Sequence, residues 1–292
     1  MGVGEDFKTF CDNIAIQNQD SISQRYKAIT KRLNLDFWDS DSDVSHSLYV
    51  GSYGRGTAID GTSDVDMLFW LPSFRYERYD KYAGNGQSAM LQDVRNSMQK
   101  TYSSSKIGAD GQVVVVSFTD DLTFEVLPSF VNNANSFTYP DSNSGGSWRS
   151  TNPKPEIDAM YERDKACNWN LRLLCKMMRP WKNLWSVPMG GMLIDTLAYT
   201  FIKDWAHRDK SYLYYDYMTR DFFQYMSGQS PTQDYWLSPG ANQRVYKDGD
   251  FQYKAKRSYN ISLAAIEHAV KGETWSSRQK WREIYGGNYP DS

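Results

Sequence analysis

The sequence predicts an α+β protein: a mixed-sheet core, an N-terminal helix ahead of it and a C-terminal helical lobe after it. Three observations predict this. Apolar residues recur at helical spacing across residues 5–33. Short β-branched and aromatic runs, bounded by glycine and proline, occupy residues 47–128. Helical periodicity resumes at Pro155 and continues to residue 285. The division expected from this order is 1–160 for the sheet-bearing core and 161–292 for the helical lobe.

Taken in order, Phe7, Phe10 and Ile14, then Ile22, Tyr26, Ile29 and Leu33, predict one long helix or two abutting ones. Residues 36–45 are acidic and turn-rich. Ser47 to Val50 predicts a short strand that runs into GSYGRGT, and DVDMLFWL predicts a strand ended by Pro72. Met90, Leu91, Val94, Met98 and Tyr102 place a helix over 87–102. Val113 to Phe118 is near-continuously apolar, as a buried strand is. After the Asp120-Asp121 turn, Thr123 to Leu127 returns as a strand stopped by Pro128.

Residues 132–155, rich in Asn, Ser, Gly and Pro, predict a long polar loop of a kind that commonly serves function. Beyond it, Leu171, Leu174, Met178 and Trp181 share a helical face, with Pro180 kinking or ending that helix. Further helices are predicted over Met192–Trp205, Asp216–Met226, Tyr259–Val270 and 275–285.

Composition narrows the function. Net charge is -2, from 33 basic and 35 acidic residues. A protein living on duplex nucleic acid needs a strong basic excess, because phosphate neutralisation supplies most of its affinity. No obligatory nucleic-acid partner is therefore expected, although residues 244–282 carry a local balance of +5. Cys11, Cys167 and Cys175 have neither zinc-site nor disulfide spacing. With no basic leader and no run of about 18 apolar residues, the chain is expected to be cytoplasmic, without a membrane partner. The three histidines are scattered and are read as structural or surface groups.

The chemistry is carried by carboxylates. Asp64 and Asp66 stand on one predicted strand, and side-chain period two puts both on one face while Val65 turns away. Like charges so close repel unless a cation lies between them. A pair of Mg²⁺ ions roughly 3.5–4 Å apart is the chemistry that uses such an arrangement. Gly51 and Ser52, at the end of the preceding strand, let the backbone approach a phosphate and offer it a hydroxyl donor. A third carboxylate belongs on a neighbouring strand. Glu125, between the apolar Phe124 and Val126, is the candidate, with Asp120 and Asp121 as rivals at a turn. It is assigned two roles, metal ligand and general base.

GSYGRGTAIDGTSDVD followed by FEVLP resembles the polymerase-β-like nucleotidyltransferase superfamily. More narrowly, it resembles the bacterial cyclic oligonucleotide synthases (CD-NTases), relatives of animal cyclic GMP-AMP synthase and the oligoadenylate synthases. RLLCKMMRPWKNLWSVPMGGMLIDTLAY is similar to that group's helical spine, and YWLSPGANQRVY and WREIYGGNYP to its C-terminal stretches. The resemblance implies an enzyme that joins nucleoside triphosphates, ATP among them, into a cyclic di- or trinucleotide second messenger. The product would activate a downstream effector receptor in anti-phage defence.

On this reading Asp64, Asp66 and Glu125 bind two Mg²⁺, with Mn²⁺ a substitute. Gly51, Ser52 and Ser63 of the metal motif hold triphosphate. Relatives often have Asp at the third carboxylate. They also often have a Lys and a Ser where this spine has Arg179 and Gly191, so Arg179, Lys176 and Lys182 become the phosphate-binding candidates. Tyr53 is a candidate for base stacking, and Asn168 and Asn170 for reading a base edge. Two rival readings keep the same fold: transfer to an antibiotic, a protein or an RNA 3′ end, and a catalytically silent nucleotide sensor.

Overall fold

The computed structural model describes residues 2–61 and 64–291. In chain order its helices and strands are α1 (Val3–Asn13), α2 (Gln19–Phe37), β1 (Ser47–Tyr49), α3 (Gly51–Gly54), β2 (Asp64–Trp70), α4 (Tyr76–Asp80) and α5 (Gly86–Gln99). There follow β3 (Lys106–Asp110), β4 (Val113–Ser117), β5 (Thr123–Val131), β6 (Phe137–Asp141) and β7 (Ser147–Thr151). The remainder is α6 (Lys154–Ala166), α7 (Asn170–Leu184), α8 (Gly191–Asp204), α9 (Tyr215–Ser227), β8 (Tyr235–Leu237), β9 (Arg244–Tyr246), α10 (Gln252–Val270) and α11 (Thr274–Tyr285). The α+β class with a mixed sheet is as the sequence predicts. No helix among the described residues is long and apolar enough to cross a membrane.

The chain divides into two compact units that do not follow its order. One comprises Gln17–Arg55 and Gly61–Lys154; the other comprises Met1–Ile16, Gly56–Asp60 and Pro155–Ser292. The expected cut at residue 160 therefore misses α1. Phe7, Phe10, Cys11 and Ile14 are buried in the same core as Leu174, Trp181, Trp281 and Tyr285, so the first helix belongs to the helical unit. Of the two readings of residues 5–33, one long helix or two abutting ones, the structure has two helices, separated between Asn13 and Gln19 where the chain leaves one unit for the other.

The sheet unit has strand order β1-β2-β5-β4-β3, with β6 pairing β5 and β7 pairing β6. Among the described residues, only β2 and β5 run parallel. Val65, Met67 and Phe69 of β2 and Phe124 and Val126 of β5 are wholly buried, and α2 and α5 contribute Ile29, Leu33, Met90, Val94 and Met98 to that unit's core. Pro128 does not stop β5. It falls between Val126, the last residue paired with β4, and Phe130, the first paired with β6, so its missing N–H interrupts no ladder on that edge. The expected loop over 132–155 is largely the β6–β7 hairpin. Its exposed edge strand SWRST lacks the apolar alternation that sequence reading depends on.

In the helical unit, Pro180 lies inside α7 without ending it. Trp181 beside it is wholly buried, and its indole donates to Ser258 Oγ at 2.8 Å. Packing of the apolar face, rather than an unbroken backbone ladder, carries the helix through the proline.

Candidate active site

β2 begins at the carboxylates and ends in the core. Asp64 is exposed and Asp66 half-buried, on the face opposite Val65 and Met67. The parallel pairing of β2 with β5 sets Asp66 in register with Glu125 and Asp64 with Thr123. Glu125 is also in register with Val115 of β4, so it stands on an inner strand with neighbours on both sides. The three carboxylates named from the sequence thus belong to one sheet face at adjacent register positions. Asp120, the rival, is taken up by Arg25, whose two terminal nitrogens donate to it at 2.9 Å.

The local electrostatics are those of a crowded acidic site. Burial pushes the Asp66 carboxyl above the usual carboxylate range, the charge of Asp64 pushes it further, and the Arg55 guanidinium opposes both. Arg55 is buried at the end of α3. Sequence reading passed over it, although a single basic residue inside a glycine turn was a visible signal. Val50 N–H donates to Asp66 O at 3.0 Å, which brings the α3 turn against β2. Gly51 has φ +59°, and a Cβ on it would stand 1.8 Å from Asp66 Oδ2. Only glycine permits that approach. Ser52 follows it in the same turn, and Ser63 lies outside the described residues.

Among the described residues, no three of His, Cys, Asp and Glu are gathered into a ready-made metal cage. For zinc that would count against a site. Magnesium is different: it keeps waters and is commonly held by one or two carboxylates together with substrate phosphates. Hard oxygen donors on one face, with Asp66 destabilised by Asp64, match that mode of binding.

The phosphate-binding candidates on α7 separate into two kinds. Arg179 is buried: its Nη2 donates to Asp195 at 2.9 and 3.1 Å and to Thr57 Oγ1 at 2.9 Å, and its Nη1 donates to Cys175 O at 2.9 Å. The structure commits Arg179 to that internal network. Gly191 lies beside it, since a Cβ there would meet Nη2 at 3.5 Å. Lys176, half-buried, makes no hydrogen bond or ion pair among the described residues, and burial, reinforced by the charge of Arg172, depresses its ammonium. Arg172, Lys176 and Arg179 share a helix face at i, i+4 and i+7, while Lys182 lies off that stripe.

The base-contact candidates have contacts within the protein. Tyr53 packs against Tyr49, which stacks on Tyr26 at 3.8 Å between centroids. Asn170 is buried, donates to Arg208 O and Lys210 O and accepts from Tyr215 Oη at 2.6 Å, and Asn168 donates to Asp209 O. Both asparagines fasten the 208–210 turn. His46 stacks flat on Trp38, and burial lowers its imidazole below the ordinary value.

Comparison with known proteins bears on the family and the fold. The model for the Second Messenger Oligonucleotide or Dinucleotide Synthetase domain matches residues 1–164. A probable cyclic nucleotide synthase of Bacillus cereus (strain VD146) is 21% identical over 277 residues, covering 82% of this chain and 81% of that protein. Among solved structures, Escherichia coli MS115-1 CdnC, in its HORMA-deltaN complex, superposes with a TM-score of 0.70 at 12% identity over 98% of both chains. Bradyrhizobium diazoefficiens CdnG, in complex with GTP, gives 0.68 at 12% identity over 97% of this chain and 94% of that one. The Vibrio cholerae cyclic AMP-GMP synthase DncV gives 0.64 at 14% identity over 84% and 69%. These structures establish a shared fold.

Proposed function

The chain belongs to the Second Messenger Oligonucleotide or Dinucleotide Synthetase family, and from that membership we propose that it joins nucleoside triphosphates into a cyclic di- or trinucleotide. The observation that carries the reading is the register of Asp66 with Glu125, with Asp64 on the same face of β2 and Gly51 against Asp66. Asp64, Asp66 and Glu125 are the residues that would hold divalent cations. Magnesium, or manganese in its place, supplies Lewis-acid stabilisation of charge on phosphate when bound.

The remaining chemistry falls to the chain's own groups. Glu125 accepts the proton of the attacking ribose hydroxyl, whose oxygen forms a bond to the α-phosphate of a second nucleotide as pyrophosphate departs. The Gly51-Ser52 turn orients a triphosphate by backbone and hydroxyl donors. Phosphate is also the ligand proposed for Lys176 and Lys182 in the helical unit. The product acts as a second messenger on a separate effector, in anti-phage defence.

The test is direct. Purified protein is incubated with the four nucleoside triphosphates and Mg²⁺, treated with phosphatase, and its products identified by mass spectrometry beside an Asp64→Ala/Asp66→Ala variant. The proposal expects a phosphatase-resistant cyclic product that the variant does not make. A product joined to a non-nucleotide acceptor, or equal activity in the variant, would overturn it.

A further inference from the structure

Away from the carboxylates, the helical unit carries a groove of about 350 Å³ between the start of α1, the turn ahead of α9 and the end of α10. Val3, Leu213, Tyr217, Ile266 and Val270 are among its walls. Leu213 and Val270, which both line it, are 63% and 80% exposed, so the groove presents apolar surface to solvent. Into this apolar setting comes one carboxylate. Asp216, 7% exposed, lines the groove at the first turn of α9.

The surroundings compensate that charge only in part. One oxygen of Asp216 accepts the Tyr217 N–H at 2.7 Å. Three cations of the same unit make closer pairs with other carboxylates. Arg220 donates to Asp221 at 2.7 Å, Lys271 to Glu267 at 2.7 Å and Arg278 to Asp6 at 2.9 Å. Burial raises the Asp216 carboxyl to about 6, against the partial relief given by its backbone bond and by Arg220. A buried carboxylate that is only partly relieved is costly to ionise, and a cation brought in by a ligand removes that cost.

We propose that this groove is a docking site for a protein segment that inserts one lysine or arginine, carried between aliphatic side chains, so that its cation meets Asp216. Aliphatic flanks cover Leu213 and Val270, and the long methylene stem of the basic residue lies along the apolar walls. Charge complementarity at one desolvated point, ringed by apolar contact, is the arrangement by which a small site discriminates. A role confined to α9 is the bland alternative, since an acid in a helix's first turn favours the helix by itself. That role requires neither the exposed aliphatic residues nor the groove.

The experiment uses the full chain, with isoleucine, leucine, valine and alanine methyls labelled for NMR. The probe is the tripeptide amide acetyl-Leu-Arg-Leu, set against its citrulline counterpart, which has the same shape without the charge. Saturable shifts are expected at the methyls of Leu213, Ile266, Ala269 and Val270 with the arginine peptide. Affinity should fall about tenfold for the citrulline peptide, and equally for Asp216→Asn with the arginine peptide, as loss of a charge-assisted contact requires. Asp216→Asn keeps an acceptor for the Tyr217 N–H, and Leu213→Lys, at an exposed position, repels the probe without touching the core. Equal binding of both peptides, full binding by either variant, or no saturable shift at these methyls up to about 10 mM peptide would overturn the proposal.

Discussion

The backbone at Gly51 lies so near Asp66 that a Cβ would stand 1.8 Å from Oδ2 and 2.7 Å from Cγ of the carboxyl group. Gly51 also has φ +59°, so a side chain there meets strain and collision together. Gly51→Ala is expected to displace the carboxylate by a fraction of an ångström or more. Misplacement on that scale costs on the order of 100-fold in rate. The nucleotide-joining assay should show this fall in kcat, while the melting temperature drops only a few degrees, roughly 1–2 kcal/mol. Unchanged kcat would remove Gly51 from the site.

Asp66 makes a pH prediction whose sign follows from its neighbours. Its carboxyl is raised by burial and by Asp64, and Arg55 lowers it. Activity that needs the ionised form is lost as pH falls through that raised value. Arg55→Met removes the opposing charge, so the acid limb of the pH–rate profile should move to higher pH. The stability consequence has the opposite sense. An acid raised in the folded state binds more protons than in the unfolded state, so stability falls as pH rises above 3.8 and the cost is complete above the folded value. Asp66→Asn should therefore melt higher than the parent at pH 7, by about 2 °C or more, and no higher near pH 3. Added Mg²⁺ should raise the parent's melting temperature and leave the Asp64→Ala/Asp66→Ala variant where it was.

The sequence disclosed these groups unevenly, for physical reasons. Alternation along DVDMLFW reveals which way Asp64 and Asp66 point, because period two is a local property of a strand. Lone acidity between Phe124 and Val126 singles out Glu125. Periodicity says nothing about partners, so the Asp66–Glu125 register had to come from the fold. β3 and β7 escaped notice because edge strands facing solvent carry no apolar alternation. Arg179 stood beside Pro180 and Trp181 where a relative's Lys is expected, but helix spacing could not disclose Asp195 and Thr57 as its partners. Amphipathicity placed α1 on a core, and that core turned out to be the helical one.

Asp216 gives a second titration in the helical unit. Its folded value of about 6, against 3.8 for the ordinary carboxyl, makes its burial costly above pH 6 and costless below about pH 4. The shift corresponds to an upper bound of about 3 kcal/mol, less the helix-end benefit of roughly 0.3–1 kcal/mol that the anion supplies to α9. Asp216→Asn should accordingly stabilise the chain at pH 7.5 and converge with the parent near pH 4, read by thermal melts across that range. A variant less stable than the parent at pH 7.5 would mean that the charge is compensated within the unit.

Two substitutions within and beside α7 separate a structural cation from a ligand-facing one. Asp195→Ala leaves Arg179 buried with only Thr57 and the Cys175 carbonyl, and stranding one partner of a buried pair costs about 3–5 kcal/mol. Its melting temperature should fall by on the order of 10 °C. Lys176→Met removes a half-buried ammonium that is depressed by burial and has no ion pair among the described residues. Taking away a desolvated, unpaired cation should leave stability unchanged or improve it. If Lys176 binds phosphate, the same variant should raise KM for nucleoside triphosphate several-fold, as loss of a charge-assisted contact does, with kcat less affected. A Lys176→Met protein that melts well below the parent, with KM unmoved, would place Lys176 among the structural residues beside Arg179.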